Sequence, residues 1–431
     1  MNFIIIGLHC LDMRDFHSKR RATPFLDKWR ESTIYIPHSR AQGHHQGDSL
    51  NAEMTGVWTA RFCGSKLIES GYETDGTGHL PKTVIENLQE RGYEILTSIG
   101  VTNKDNLGSW AVQGGMKGIW LKDQPDRLKQ FNSPYKMGLE EWINKIRKSK
   151  KFYAHIFLRH THRPWTNEKL LLKLADKNTF TTIKRLLKNK LSKKTRSWAE
   201  LPAAARLLAI IKPDEFAELR TAGLNKADTI IADIVNKTKD LKDVTYLIYS
   251  NHGEIFDHFR DKLPHREVMI DGHNMIEGMS HGNYPYEVLY ANMQMWRIPG
   301  YKSLAMEGIG RSIDICPTIL DLANIPSDNM DGISTLQNFR SGRFQDRVRF
   351  AENVLGGGCI SMVREDRFKF VSTGIIDDAS QNIYGLRGFP EHRLAVFDLN
   401  NDPNEFDNLI KTDRGKEIQK WAIETHKTLK N

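Results

Sequence analysis

Apolar residues in this chain fall either in short unbroken runs or in longer stretches where they recur every three or four positions. Asn2 to Leu8, Phe152 to Leu158 and Val244 to Tyr249 are runs of the first kind, rich in Ile, Phe, Tyr and Val, and each predicts a buried strand. Tyr93 to Ile99 predicts another. Helical spacing marks Ala22 to Glu31, with Pro24 near its first turn and Asp27 at the end that the helix dipole favours. It also marks Ser49 to Met54, stopping at Gly56, and Thr83 to Arg91, which places Val84, Ile85 and Leu88 on one face before Gly92. Leu139 to Lys148 and a long stretch from about Leu219 to Lys239 predict two more helices, and Arg311 to Leu322 a helix interrupted early by Pro317. Helix, glycine and strand in alternation predict an α/β domain.

Beyond about Gln337 the pattern changes to short alternating segments, Cys359 to Val363 and Arg367 to Val371, and then a helix from Lys416 to Leu429. This predicts a small antiparallel sheet, and divides the chain into residues 1–337 and 338–431. Within the first part, residues 166–218 form a basic helical insertion. Residues 255–279 form a polar, irregular loop insertion over the strand ends, where lids and specificity elements are often found.

Asn251, His252, Gly253 and Glu254 follow directly on the Val244 run, where a parallel strand would end. In α/β proteins that position opens into a crevice and carries chemistry; the plainer reading is an ordinary turn at glycine. A hydrophobic content of 39% and a charged content of 27% over 431 residues are those of a soluble globular protein, and no apolar run reaches the roughly 20 residues of a membrane-spanning helix. The first residues read as a strand and not as a signal peptide, so the cytoplasm is the expected compartment. Cys10, Cys63, Cys316 and Cys359 lack any CxxC spacing, which argues against a disulfide framework or a zinc knuckle. The net charge of +9 is concentrated between Glu168 and Arg196, where ten Lys or Arg stand against Glu168 and Asp176. That stretch reads first as a solvated helical face with leucines turned inward, and second as a surface for nucleic acid or an acidic membrane.

A series of fragments, in order, resembles the sulfatase family of the alkaline-phosphatase superfamily. Thr23-Pro24-Phe25-Leu26-Asp27 is similar to the family's TPNLD, Thr55-Gly56 to its TG helix and Gly92-Tyr93 to its GYxT strand. His162-x-Pro164 is similar to its HxP, Ser250 to Glu254 to its SDHGE, and Ser312 to Asp321 to its DxxPTxLDL helix. Asp331-Gly332, Met362 to Lys369 and the run from Phe397 through Asp402-Pro403-Asn404-Glu405 to Leu409 match its later segments. The resemblance covers nearly the whole chain. It implies a large, mixed, mostly parallel sheet sandwiched by helices, with a small C-terminal antiparallel sheet and a helix. It implies transfer of a sulfuryl or phosphoryl group, with one or two divalent cations at the strand C-termini offsetting the anion's charge.

Carried over residue by residue, the site is altered. His9 stands where the resemblance places the first metal carboxylate, and Asn251 where it places the Asp of SDHG. Gln46 occupies the nucleophile slot, a position that a glutamine amide cannot serve, with Asp48 and Ser49 beside it. Lys104 matches the anion-binding lysine, and His162 and His281 match histidines on the leaving side of the anion. The metal set implied is His9, His252, Asn251 and Asp48. With two carboxylates gone, Zn²⁺ or Mn²⁺ is favoured over Ca²⁺ or Mg²⁺, if an ion is held at all. Three functions stay open: a sulfate or phosphate ester hydrolase with Ser49 or Cys10 as a shifted nucleophile; a degenerate relative that binds a sulfated or phosphorylated ligand; and an interaction protein acting through its basic stretch.

Overall fold

Short, predominantly apolar runs suit interior strands buried on both faces, and the chain places its most apolar runs accordingly. The computed structural model describes residues 1–11, 23–44, 46–58, 82–97, 138–158, 160–161, 213–254, 267–270, 273–276, 285–345, 347–353, 359–372 and 394–430. The first half alternates β1 (Asn2–Leu8), α1 (Pro24–Arg30), β2 (Ile34–Arg40), α2 (Gln46–Thr55), α3 (Val84–Glu90) and β3 (Glu94–Thr97). It continues with α4 (Leu139–Lys148), β4 (Phe152–Leu158), α5 (Pro213–Thr238) and β5 (Val244–Ser250). A hairpin of β6 (Glu267–Ile270) and β7 (His273–Ile276) is followed by α6 (Glu287–Tyr290), β8 (Ala291–Arg297), β9 (Leu304–Ala305), β10 (Gly310–Arg311), α7 (Ile315–Leu322) and α8 (Leu336–Ser341). The chain ends with β11 (Arg349–Asn353), β12 (Cys359–Val363), β13 (Phe368–Ser372), β14 (Leu394–Asp398) and α9 (Asp413–Lys430).

Eight strands form one sheet in the order β10-β2-β8-β5-β1-β4-β3, with β9 also paired to β2. Among these eight, β8 alone runs against the others, so the sheet is mixed and mostly parallel. Strand alternation sends Phe3 and Ile5 of β1 to one face, where they meet Leu50 and Met54 of α2, Leu88 of α3 and Ile319 of α7. Ile4 and Ile6 face the other way, onto Leu26 of α1, Trp142 and Ile146 of α4, and Ile231 of α5. Each face therefore carries its own helical layer. Helix α3 begins at a reciprocal cap: Thr83 Oγ1 accepts from Glu86 N at 3.2 Å while the Glu86 carboxylate accepts from Thr83 N at 2.9 Å.

Three expectations change. Pro317 does not interrupt its helix; it is the third residue of α7, in the first turn, where no intrahelical acceptor awaits an N–H. The stretch 255–279 is not wholly irregular, since it contains the β6–β7 hairpin. Strands β2 and β8, at one side of the sheet, were not foreseen.

The second sheet, β11-β12-β13-β14, is antiparallel throughout and starts at Arg349. Phe350, Met362, Phe370 and Val396 on its inner face pack with Ile418 and Ala422 of α9. A buried ionic knot joins it to the main sheet. Arg40 of β2 grips Glu287 with two bonds of 2.8 and 3.0 Å, and Lys369 of β13 reaches Glu405 at 2.7 Å and Glu287 at 3.2 Å. Among the described residues, no helix is long and apolar enough to cross a membrane.

Candidate functional site

Strands β1 and β5 lie side by side at the middle of the sheet, in register from Asn2 opposite Val244 to Leu8 opposite Ser250. Their C-terminal ends stay joined beyond the last ladder pair. Asn251 N donates to Leu8 O at 3.2 Å, Ser250 Oγ to Leu11 O at 2.7 Å, and on the other flank His9 N donates to Leu158 O at 3.0 Å. Backbone pairing thus brings His9, Cys10, Asn251 and His252 to one sheet edge. Gly253 is required there: its N–H reaches Leu289 O at 2.9 Å, and a Cβ would lie 2.0 Å from the Val288 carbonyl oxygen.

The Asn251 side chain staples the two strand ends. Its Oδ1 accepts the backbone N–H of His252 at 2.9 Å and that of Cys10 at 3.3 Å. Cys10 has φ of 60°, a left-handed conformation that disfavours a residue with a Cβ and costs on the order of 1–3 kcal/mol. Its N–H is held by Asn251, and its carbonyl accepts from an Arg220 guanidinium N–H at 3.0 Å, so the turn is fixed from both sides. The consequence is where the thiol points: Cys10 Sγ lies 3.8 Å from His252 Nε2.

His9, Cys10 and His252 are all fully buried, and one ligand atom from each lies within 4.8 Å of the others. The two imidazoles meet edge to face, 5.1 Å between centroids. His252 Nδ1 sits 2.7 Å from the Gly253 carbonyl, which can only accept, so Nδ1 carries the proton and the Nε2 lone pair is directed at Cys10. The His9 carbonyl is held by the Thr161 hydroxyl and its ring lies against Phe157. Neither Arg220 nor Thr161 was singled out from the sequence. Thr161 sits in a polar stretch after a strand, which is a usable signal; Arg220 is one basic residue on a long helix, which is not.

A hard divalent cation of the kind implied by the resemblance does not fit this donor set. Ca²⁺ and Mg²⁺ take carboxylate and carbonyl oxygens, while among the described residues the converging donors are two imidazoles, a thiol and an amide oxygen that already accepts two N–H groups. Asp48 is not in the group. It is buried near the start of α2, close enough to Cys359 to raise that thiol further.

Gln46 is the first residue of α2. Ser49, fully buried, donates its hydroxyl to Gly43 O at 2.7 Å. His44 Nε2 lies 3.2 Å from Cys359 Sγ, whose pKa burial pushes up to about 12, so this pair offers a thiol and not a thiolate. Lys104, His162 and His281 lie outside the described residues, as does the basic stretch from Glu168 to Arg196.

Beneath the edge is a second polar layer. Tyr153 and Tyr249 place their hydroxyls 2.9 and 3.4 Å from the two nitrogens of His155, whose pKa burial lowers to about 3. Glu53 of α2 joins them; burial pushes its carboxyl well above the usual range, and Tyr249 opposes this only in part. Burial thus disfavours charge on every member of this layer.

A protein solved in complex with its substrate D-glucosamine-2-N,6-O-disulfate is 13% identical to this chain, with a TM-score of 0.66 over 100% of this chain and 98% of its own. Phosphonate monoester hydrolases from Silicibacter pomeroyi and Agrobacterium radiobacter give TM-scores of 0.60 and 0.58 at 13% and 14% identity. Those two comparisons each cover 99% of this chain, and 94% and 95% of theirs. At these identities the likeness establishes the fold. No curated protein matches the sequence. A family model described as Sulfatase matches residues 7–325, most of the length and all of the main sheet's site edge, and on that match the chain belongs to the sulfatase family, within the alkaline-phosphatase superfamily.

Proposed function

We propose that this sulfatase-family protein recognises a sulfated or phosphorylated small molecule above the C-terminal ends of β1 and β5, without the hard-metal chemistry general in the family. One observation carries the reading: the Asn251 amide oxygen is engaged by two backbone N–H groups and brings no charge, opposite a histidine at position 9. Two supports accompany it. The Ser49 hydroxyl is turned onto the Gly43 carbonyl, away from a nucleophile's task, and the net charge of +9 favours an anionic ligand. Lys104, His162 and His281, by their match to family motifs, are assigned to the anion.

The test is a thermal-shift series with sulfated and phosphorylated monosaccharides, run beside turnover of aryl sulfate and aryl phosphate esters. A raised melting temperature with no turnover is the expected result, reduced when His162 and His281 are both replaced by alanine. Steady turnover overturns the reading, and so does a series in which no anionic sugar shifts the melting temperature. Ester hydrolysis is the second reading, favoured by the convergence of His9, Cys10 and His252 where family members hold their metal. Turnover lost on substituting His9 would establish it.

A further inference from the structure

The arrangement of His9, Cys10 and His252 is more specific than a generic polar edge. We propose that these three residues form a site for one thiophilic divalent cation, zinc, with the Cys10 thiolate as a ligand. The site replaces Asp48 and Asn251, the oxygen donors expected from the sequence, with a sulfur.

Geometry supports each ligand separately. Tetrahedral zinc with bonds of about 2.3 Å to sulfur and about 2.0 Å to nitrogen sets those two atoms about 3.5 Å apart. Cys10 Sγ and His252 Nε2 stand 3.8 Å apart, and all three ligand atoms lie within 4.8 Å. Closing on an ion therefore needs movements on the order of an ångström. His252 is oriented as metal-bound histidines are, its distal Nδ1–H held by a carbonyl so that Nε2 presents its lone pair. The left-handed turn at Cys10 is fixed by Asn251 and Arg220, and this conformation is what puts the thiol between the two strand ends.

Ligand softness then chooses the ion. Thiolate and imidazole together select zinc over calcium, magnesium and manganese, all of which prefer oxygen. The three protein ligands found among the described residues leave a fourth position for water or an anionic ligand, the pattern of zinc sites that exchange a ligand. Asn251 has a part in this although it does not bind the ion: it positions Cys10.

The experiment uses the full chain, stripped with a chelator and titrated with Zn²⁺, Co²⁺, Ca²⁺ and Mg²⁺ in the absence of any sulfated or phosphorylated compound. Its outcome is thus separate from the anion-recognition reading. One equivalent of Zn²⁺ should bind and raise the melting temperature, with no comparable effect of Ca²⁺ or Mg²⁺. The Co²⁺ form should show sulfur-to-cobalt charge-transfer absorption in the near ultraviolet. Cys10→Ser should remove that band and weaken zinc binding at least about 10–100-fold, with the far-ultraviolet circular dichroism of the metal-free protein unchanged. His252→Gln should weaken binding to a similar degree while the residual cobalt complex keeps the band. A cobalt complex of the wild type without a sulfur band, zinc affinity unmoved by Cys10→Ser, or equal stabilisation by Ca²⁺ overturns the proposal. If Cys10→Ser does not fold, the wild-type cobalt spectrum decides alone.

Discussion

A carboxylate at position 251 could accept the same two backbone N–H bonds that the amide oxygen accepts, so asparagine keeps the turn and withholds a charge. His9→Asp and Asn251→Asp together should restore a hard-cation site: Ca²⁺ at tenfold excess over its Kd should stabilise the double variant by about 1.4 kcal/mol, and the wild type not at all, in chemical denaturation. Ser49 leads to a different expectation. Ser49→Ala removes one buried bond to Gly43 and should cost about 1 kcal/mol while leaving any anion-induced thermal shift intact. Glu53 is a matter of pH. Burial holds its pKa higher in the fold than in the unfolded chain, so the fold loses stability as pH rises from the ordinary glutamate range upward. Glu53→Gln, a neutral isostere, should match the wild type near pH 4 and exceed it near pH 8. The gap should grow by about 1.4 kcal/mol per pH unit between the unfolded and folded pKa, which urea titrations at several pH values would measure.

Elements were legible where local pattern and tertiary burial agree. Strands β1 and β4 and helix α4 have the bounds their residues predict, because each is a continuous apolar run or a clean amphipathic turn. Strand β2 hides behind Pro37, which a register shift between Ile36 and Ser39 accommodates, and β8 (ANMQMWR) has no β-branched residue to declare it. The site divides in the same way. His9, Asn251 and His252 were readable as residues at strand ends. The place of Cys10 among them was not, since it depends on a positive φ imposed by Asn251 and Arg220, which come more than two hundred residues later. Caps are the elements' own contribution, and α3 allows a direct check: Thr83→Ala removes the hydroxyl that accepts from Glu86 N, leaves the bond from Thr83 N to the Glu86 carboxylate, and should cost about 1 kcal/mol, read as a lower urea midpoint with an unchanged slope.

The two sheets depend on each other through charge. Arg40, Glu287, Lys369 and Glu405 come from strand β2, helix α6, strand β13 and the segment before α9, so the knot binds the small sheet to the edge of the large one. Burial alone would raise both carboxyls; at Glu287 it is outweighed by Arg40 and Lys369, which hold the pKa at about 2. At Glu405 burial prevails over Lys369 and the Glu287 backbone N–H, with the Glu287 charge adding to the rise. The depressed group sets the acid limit: Glu287 contributes stability above the ordinary glutamate range, and that contribution is lost as pH falls toward about 2. Lys369 is the member whose loss is felt on both sides. Its side chain is fully buried between two carboxylates and also donates to Pro285 O at 2.6 Å, so Lys369→Met leaves Glu405 without a cation and Glu287 with one of its two. Removing one partner from a buried pair typically costs about 3–5 kcal/mol, more than any cap or surface bridge in this chain can supply. Lys369→Met should therefore loosen the small sheet before the large one melts. Hydrogen exchange should show β11 to β14 losing protection while β1, β4 and β5 keep theirs; uniform loss across both sheets would mean that the knot holds the whole molecule as one cooperative unit.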